Sequence, residues 1–113
     1  MIKKENRLTK NRHFQYIYRK GDSKQNRFLT VVFIKTKIKP FKVGFSVSKK
    51  IGKSVVRSRV KRVLSEVFNK LQTDINQNYN YIFVAKAGIN ELSFWEVKNQ
   101  MQDVLRKAKL IND

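Results

Sequence analysis

The chain has 113 residues, with 26 Lys and Arg against 8 Asp and Glu, and its formal net charge at pH 7 is +18. This length suits one domain with a single core, so we expect residues 1–113 to form one domain. A charge this large destabilises a compact chain by self-repulsion unless a polyanion neutralises it. Nucleic acid is therefore the expected partner, and an anionic membrane surface is the weaker alternative.

Composition also excludes several classes of protein. The chain has no cysteine, which rules out disulfides and thiol catalysis. No apolar run approaches the roughly 20 residues of a membrane-spanning helix, and residues 1–7 are not followed by the apolar stretch of a signal peptide. We expect a cytoplasmic protein with no membrane partner and no small-molecule substrate.

The N-terminal quarter predicts a short helix. Residues 1–8 are basic and polar, and we expect them to be flexible until bound. Thr9 is a candidate N-cap for a helix over residues 10–20, which would end at Gly21. Residues 21–26 are typical of a loop.

Three segments predict strands. Residues 27–37 are apolar on both faces, which indicates a strand covered on both sides. Residues 41–48 alternate, with Phe41, Val43, Phe45 and Val47 on one face, and we expect them to pair with the first strand as a hairpin. Residues 79–86 predict the third strand.

The second strand leads into a basic stretch, residues 49–62, in which seven of fourteen residues are Lys or Arg and none is acidic. Ser54 is a candidate N-cap, and apolar residues at 56, 60, 63, 64, 67 and 71 predict a helix with one buried stripe. Cations near a helix N-terminus oppose the macrodipole, so an external polyanion explains this placement better than helix stability does. The alternative is an ordinary solvated face, but such faces normally mix signs, and the first acidic residue after Lys49 is Glu66.

A last helix begins at Ser93, which forms a capping box with Glu96. Its predicted buried stripe contains Phe94, Val97, Met101, Val104 and Leu105. The order α-β-β-α-β-α predicts an α/β (α+β) two-layer sandwich on a small central sheet. Five aromatic residues are expected in its core: Phe33, Phe45, Phe83, Phe94 and Trp95.

Catalytic groups are sparse. His13 is the only histidine, and a lone helical histidine is more often a surface or packing residue than a base. The acidic residues are scattered, and the four glycines form no phosphate-binding loop. We expect no catalytic residue and no metal site in the chain itself.

Binding is better supported, because aromatic residues accompany the cations. Phe14, Tyr16 and Tyr18 lie on the first helix, and bases of single-stranded RNA stack on such rings while cations follow the phosphates. For Phe14 and Tyr18 the alternative is packing against the core, and their spacing does not decide between the two.

Two segments resemble the bacterial ribonuclease P protein component: residues 43–52 (VGFSVSKKIG) and 56–62 (VRSRVKR). The shared pattern is a strand ending in Ser-Lys-Lys, a glycine turn, and a helix that carries Arg-Asn-Arg and a second basic pair. Residues 8–14 and 81–86 resemble the first helix and third strand of that family. Ser58 replaces the asparagine of the motif. Serine keeps a hydroxyl donor and acceptor but loses the two-headed reach of the amide, which affects a specific contact of this side chain and not the docking of the helix.

The resemblance implies a ribosomal-protein-like fold with a left-handed crossover through the basic helix. It implies the protein subunit of a ribonucleoprotein that removes the 5′ leader of precursor tRNA, with the active site and its Mg²⁺ ions in the RNA. By the same resemblance, eight residues would bind this catalytic RNA: Lys49, Lys50, Lys53, Arg57, Ser58, Arg59, Lys61 and Arg62. A cleft between the first helix and the sheet would hold the leader, through Phe14, Tyr18, Val32, Phe45 and Val47. The rival hypotheses are a structural ribosomal protein and a stand-alone nuclease.

Overall fold

The computed structural model describes residues 2–112, and it is built on one four-stranded sheet. The helices are α1 (Asn11–Lys20), α2 (Ser54–Leu71) and α3 (Phe94–Lys107). The strands are β1 (Asp22–Gln25), β2 (Leu29–Lys35), β3 (Val43–Ser46) and β4 (Tyr79–Ala85). The predicted mixed α and β class is confirmed.

The strand order in the sheet is β1-β2-β4-β3. β2 is antiparallel to both β1 and β4, whereas β3 runs parallel to β4, to which α2 connects it. The predicted hairpin between β2 and β3 is therefore wrong. β2 and β4 are the two strands that are apolar on both faces, so they occupy the centre, and the shorter β3 takes an edge.

β1 is a second departure, because the loop predicted over residues 21–26 contains this strand. All four residues of β1 are exposed and polar, so no alternation of apolar residues marks them as a strand. Backbone pairing with β2 creates the strand, from Asp22 opposite Phe33 to Gln25 opposite Thr30. Such short, polar edge strands protect a sheet from pairing with other chains.

The two faces of the sheet are covered differently. α2 and α3 pack on one face over a large core, in which Leu64, Phe68, Phe83, Met101 and Leu105 are fully buried. The opposite face carries a smaller cluster of buried residues, and α1 contributes only one of them. Its members are Leu8, Ile17, Val32 and Ile82.

Of the three predicted N-caps, Ser93 of α3 is confirmed, whereas Thr9 and Ser54 are wrong. The capping box of Ser93 and Glu96 is confirmed, with Glu96 N–H donating to Ser93 Oγ at 3.2 Å and Ser93 N–H donating to Glu96 Oε1 at 2.9 Å. Lys10 and Lys53, rather than Thr9 and Ser54, precede α1 and α2, and neither makes a side-chain capping bond.

Trp95 was expected in the core, and the structure shows that this is wrong, because its side chain is 62% exposed. At about 100° per residue, Trp95 lies some 200° from Val97 around α3, and Val97 and Met101 define the buried side. Phe94 is half-buried against the core and meets the Trp95 ring edge to face at 5.2 Å.

Residues 2–8, expected to be flexible, pack against the domain in the structure; Met1 lies outside the described residues. Ile2 and Leu8 are buried, and Leu8 N–H donates to Val43 O at 2.9 Å. Asn6 is also buried, and its Nδ2 donates to Phe41 O at 2.8 Å. Two apolar anchors and a satisfied amide therefore hold this segment along the open edge of β3.

Candidate nucleic-acid interface

The basic surface consists of the eight residues predicted to bind the catalytic RNA: Lys49, Lys50, Lys53, Arg57, Ser58, Arg59, Lys61 and Arg62. Lys49 and Lys50, its first two members, lie in a short 3-10 turn, Lys49–Ile51, and the buried side chain of Ile51 anchors this turn to the core. Gly52 follows with φ 157° and ψ −168°, a conformation essentially restricted to glycine. A Cβ there would lie 3.0 Å from Val56 Cγ1. The glycine thus lets the chain reverse tightly into α2.

Arg57 differs from the other cations of the basic surface because it is half-buried. Its Nε donates to Gly52 O at 3.2 Å and so holds the turn against the first residues of α2. This bond uses one of the five N–H donors of the guanidinium group. Arg57 therefore has a structural role in addition to the predicted binding role.

The remaining members of the basic surface are exposed. Within residues 2–112, none of the basic surface's cations is paired with a carboxylate, in contrast to the Lys107–Asp103 pair of α3, whose Nζ and Oδ2 atoms lie 3.6 Å apart. Arg59 and Arg62 lie with Ser58 on the outer side of α2, and Glu66 is the only acidic residue of that helix. The positive field is thus uncompensated, as binding to phosphates requires.

On the opposite face of the sheet, Phe14 of α1 lies directly over Gly44 of β3. A Cβ built on Gly44 would lie 2.5 Å from Phe14 Cζ, so the close packing of the Phe14 ring on β3 depends on this glycine. Phe14 also packs against the small cluster that contains buried Val32, and the binding role of both residues stays a prediction. Tyr18 lies one helical turn after Phe14 and is 44% exposed, so its ring faces solvent.

α1 covers only part of this face. The strand register aligns Gln25, Thr30, Val84 and Ser46 in one row across the four strands, next to the row that contains Val32. Gln25 is exposed and the other three are half-buried. We call these four residues the open row. Sequence reasoning missed them, although the alternation of Ser46 with its apolar neighbours marks it as facing away from the core.

Phe45 and Val47, predicted to line the same cleft as Phe14 and Val32, lie on the other face of the sheet. Val47 is buried in the large core, and Phe45 stacks on Phe83 with 5.9 Å between ring centroids. The predicted set is therefore divided between the two faces of the sheet, and Phe14 and Phe45 come together in a groove at the edge of β3. Alternation correctly groups these residues of the second strand, but it does not tell which helix covers their side.

The basic surface is nevertheless continuous with the face of the sheet beside α1. A groove at the outer edge of β3 is lined by Phe14 and Phe45 together with Lys61, Arg62 and Ser65 of α2. An extended chain could pass from the aromatic residues beside α1 to the cations of α2 without leaving the surface.

The described residues offer little for catalysis. No group of three or more His, Cys, Asp or Glu is placed to hold a metal ion in that part of the chain, and His13 is exposed on α1. No helix within residues 2–112 combines the length and the apolar character needed to span a bilayer.

Two side chains have a shifted pKa, and both make hydrogen bonds that stabilise the fold. Burial raises the pKa of Tyr81, whose hydroxyl donates to Asn76 O. The backbone N–H and then the hydroxyl of Ser93 lower the pKa of Glu96.

Comparison with known proteins shows the family of this chain. The family model described as Ribonuclease P matches residues 2–109. The ribonuclease P protein component of Geobacillus sp. (strain WCH70) is 39% identical over 108 residues, covering 95% of this chain and 93% of the relative. That of Alkaliphilus oremlandii is 40% identical over 111 residues, covering 98% and 97%.

Solved structures give the same result. The Staphylococcus aureus RNase P protein superposes with a TM-score of 0.87 at 35% identity, covering 96% of this chain and all (100%) of that one. The Thermotoga maritima RNase P protein superposes with a TM-score of 0.81 at 27% identity, covering 89% and 96%. A matching family model, relatives of equal length and a shared fold all lead to one conclusion: the chain belongs to the family of bacterial ribonuclease P protein components.

Proposed function

We propose that this chain binds the catalytic RNA of ribonuclease P through the basic surface and the 5′ leader of precursor tRNA through the face of the sheet beside α1. Family membership makes it a subunit of ribonuclease P, an endoribonuclease of tRNA processing. The observation that carries the finer assignment is the continuity of two surfaces. Uncompensated cations on α2 adjoin, through the groove at β3, an aromatic helix beside a partly open sheet.

The proposed division of labour follows from the chemistry of the two surfaces. Arg59, Lys61 and Arg62 are exposed and suit the closely spaced phosphates of a folded RNA. Tyr18 and the open row suit a single strand, because an unstacked base can lie on the ring while small polar groups contact it. The revised leader site is therefore Phe14, Tyr18 and Val32 with the open row.

We further propose that the RNA partner carries the active site and its Mg²⁺ ions, and that the protein holds no catalytic group or cofactor. Its contribution would be electrostatic and positional. The cations screen repulsion between the two RNAs, which raises the affinity for precursor tRNA and lowers the Mg²⁺ concentration needed. The cytoplasmic location expected from the sequence stays a prediction.

Reconstitution tests this function. Purified protein is mixed with a bacterial ribonuclease P RNA, and 5′ cleavage of a precursor tRNA is followed at low Mg²⁺, with each component omitted in turn. We expect cleavage that requires the RNA and is restored by the protein. Cleavage by the protein alone would support a stand-alone nuclease, and tight RNA binding without stimulation would support a ribosomal role.

A charge variant tests the basic surface. The double variant Arg59→Gln/Arg62→Gln spares Arg57, whose bond to Gly52 supports the turn. We expect weaker assembly with the catalytic RNA and a slope of log K against log salt that is shallower by about one for each lost phosphate contact. Lys70→Gln/Lys109→Gln removes the same charge from exposed positions elsewhere and should change the slope little. Equal effects of the two pairs would show that net charge alone matters.

A further inference from the structure

α1 has a second aromatic side that the proposed function does not use. At about 100° per residue, Tyr16 lies some 200° from Tyr18 around the helix, so their rings leave α1 on opposite sides. Tyr16 is 50% exposed, and His13, one turn earlier on the same side, is exposed too. Packing against the core does not account for these two exposed rings, because α1 packs on the sheet through the buried Ile17.

These two rings form one wall of a groove, and the end of β2 with the following loop forms the other. We call it the far groove. Ile34 is half-buried at its base, and Ile38 in the loop is 77% exposed. An exposed isoleucine alone needs no explanation. Here Ile38 and the exposed Tyr16 line the same concave groove, one from the loop and the other from α1.

The rim of the far groove is positive. Lys35, Lys37 and Lys42 line it, and no carboxylate does among its described lining residues. Lys42 Nζ donates to the backbone O of Glu5 at 2.6 Å, which orients the ammonium group without neutralising it. An apolar groove with cations at its rim is complementary to a group that is flat, apolar on its faces and attached to an anion.

One polar group in the far groove has a defined orientation. Asn80 Oδ1 accepts a hydrogen bond from Lys42 N–H at 2.7 Å. The oxygen is thereby identified, and the NH₂ group of the same amide is left on the other side as a donor. A donor fixed in this way can recognise an acceptor on the edge of a base.

We propose that the far groove binds an unstacked nucleotide of single-stranded RNA. The base stacks on Tyr16 and is enclosed by Ile38, the Asn80 amide donates to its edge, and Lys37 and Lys42 neutralise the flanking phosphates. This site goes beyond the proposed function, because it uses none of the residues assigned to the leader or to the catalytic RNA. α1 then contacts single-stranded RNA on both of its sides.

The test uses the full chain and a 5′-labelled single-stranded hexauridylate at 150 mM salt, with affinities from fluorescence anisotropy. We expect Tyr16→Ala to weaken binding about 5-fold or more and Tyr16→Phe, which keeps the ring, to bind like the wild type. Circular dichroism checks that both variants are folded. Wild-type affinity of Tyr16→Ala would overturn the proposal.

A double variant and backbone amide shifts complete the test. If the far groove is a separate site, Tyr16→Ala should weaken binding by the same factor in a Tyr18→Ala background. The amide signals of residues 13–16 and 36–42 should shift on titration. No additional loss in the double variant, or shifts confined to residues 49–62, would overturn it. The cleavage assay of the holoenzyme is independent of these measurements, so failure here leaves the proposed function to its own test.

Discussion

The two faces of the sheet are closed to very different degrees. Of the described residues, 23 buried side chains form the core on the side of α2 and α3, whereas four form the cluster on the side of α1. α2 buries five residues and α1 buries one. Stability therefore resides mainly on the first face, and the second keeps exposed aromatic and polar groups for contacts. Binding surfaces are commonly drawn from the less stable parts of a protein.

The largest expected effect comes from the closed face. Phe68 is fully buried and contacts the rings of Phe41, Phe45, Tyr81 and Phe83. Phe68→Ala should lower the free energy of unfolding by about 3–5 kcal/mol through lost burial and a cavity. Urea unfolding followed by circular dichroism measures this. Val55→Ala, at a residue 77% exposed, is the control and should change stability by less than about 0.5 kcal/mol.

If Phe68→Ala lowers the free energy of unfolding by less than about 1 kcal/mol, the face covered by α2 and α3 is not the main source of stability. The variant should also unfold in a single transition, because single domains of this size unfold cooperatively. A separate early transition assigned to α2 would contradict that expectation.

Gly44→Ala tests how closely α1 must approach the sheet. The added methyl group would lie 2.5 Å from the far end of the Phe14 ring and 3.2 Å from Leu8 Cβ, so the ring or α1 has to shift, at a cost of about 1–3 kcal/mol. We expect weaker binding of leader-bearing precursor tRNA but normal assembly with the catalytic RNA. Making the same change in a Phe14→Ala background should cost much less, since the clashing ring is gone. An equal cost in both backgrounds would refute this explanation.

Tyr18→Ala should separate binding from stability on the open face. Because Tyr18 is 44% exposed, unfolding should change by less than about 0.5 kcal/mol. Affinity of the holoenzyme for leader-bearing precursor tRNA should fall roughly 5- to 150-fold, the equivalent of one lost stacking contact of about 1–3 kcal/mol. Tyr18→Phe is the matched control. An equal loss of affinity for a tRNA without a leader would place Tyr18 outside the leader site.

The smallest expected effect lies at the start of α3, which contributes none of the proposed contact residues. Ser93→Ala removes the capping box and should lower stability by about 1 kcal/mol without changing RNA affinity. Glu96 adds a pH dependence, since hydrogen bonds from Ser93 hold its pKa below the ordinary value of 4.5.

A depressed carboxyl pKa stabilises the fold above the unfolded value and ceases to do so as the pH falls through the folded value. The advantage in thermal stability of the wild type over Glu96→Gln should thus be present at pH 7 and lost on acidification below about 4.5. An advantage unchanged down to pH 3 would rule out the ionised capping box as its cause.

Much of this architecture is predictable from local pattern. The apolar stripe of α2, the capping box of α3 and the apolar runs of β2 and β4 are properties of short windows, and each lies within a few residues of its predicted position. The basic surface is predictable for the same reason, because charge is read directly from the residues. The motif over residues 43–62 was sufficient to indicate the family that the comparisons confirm.

Tertiary structure decided the rest. Alternation groups Phe45 with Val47, but only the packing of α2 places both on the side away from Phe14. β1 exists because β2 offers it a backbone partner, and the exposure of Trp95 depends on which side of α3 meets the sheet. Local sequence pattern predicts the three helices, three of the four strands, the charge and the family. The order of the strands, the open row and the far groove arise from contacts between residues distant in the chain, which no local pattern contains.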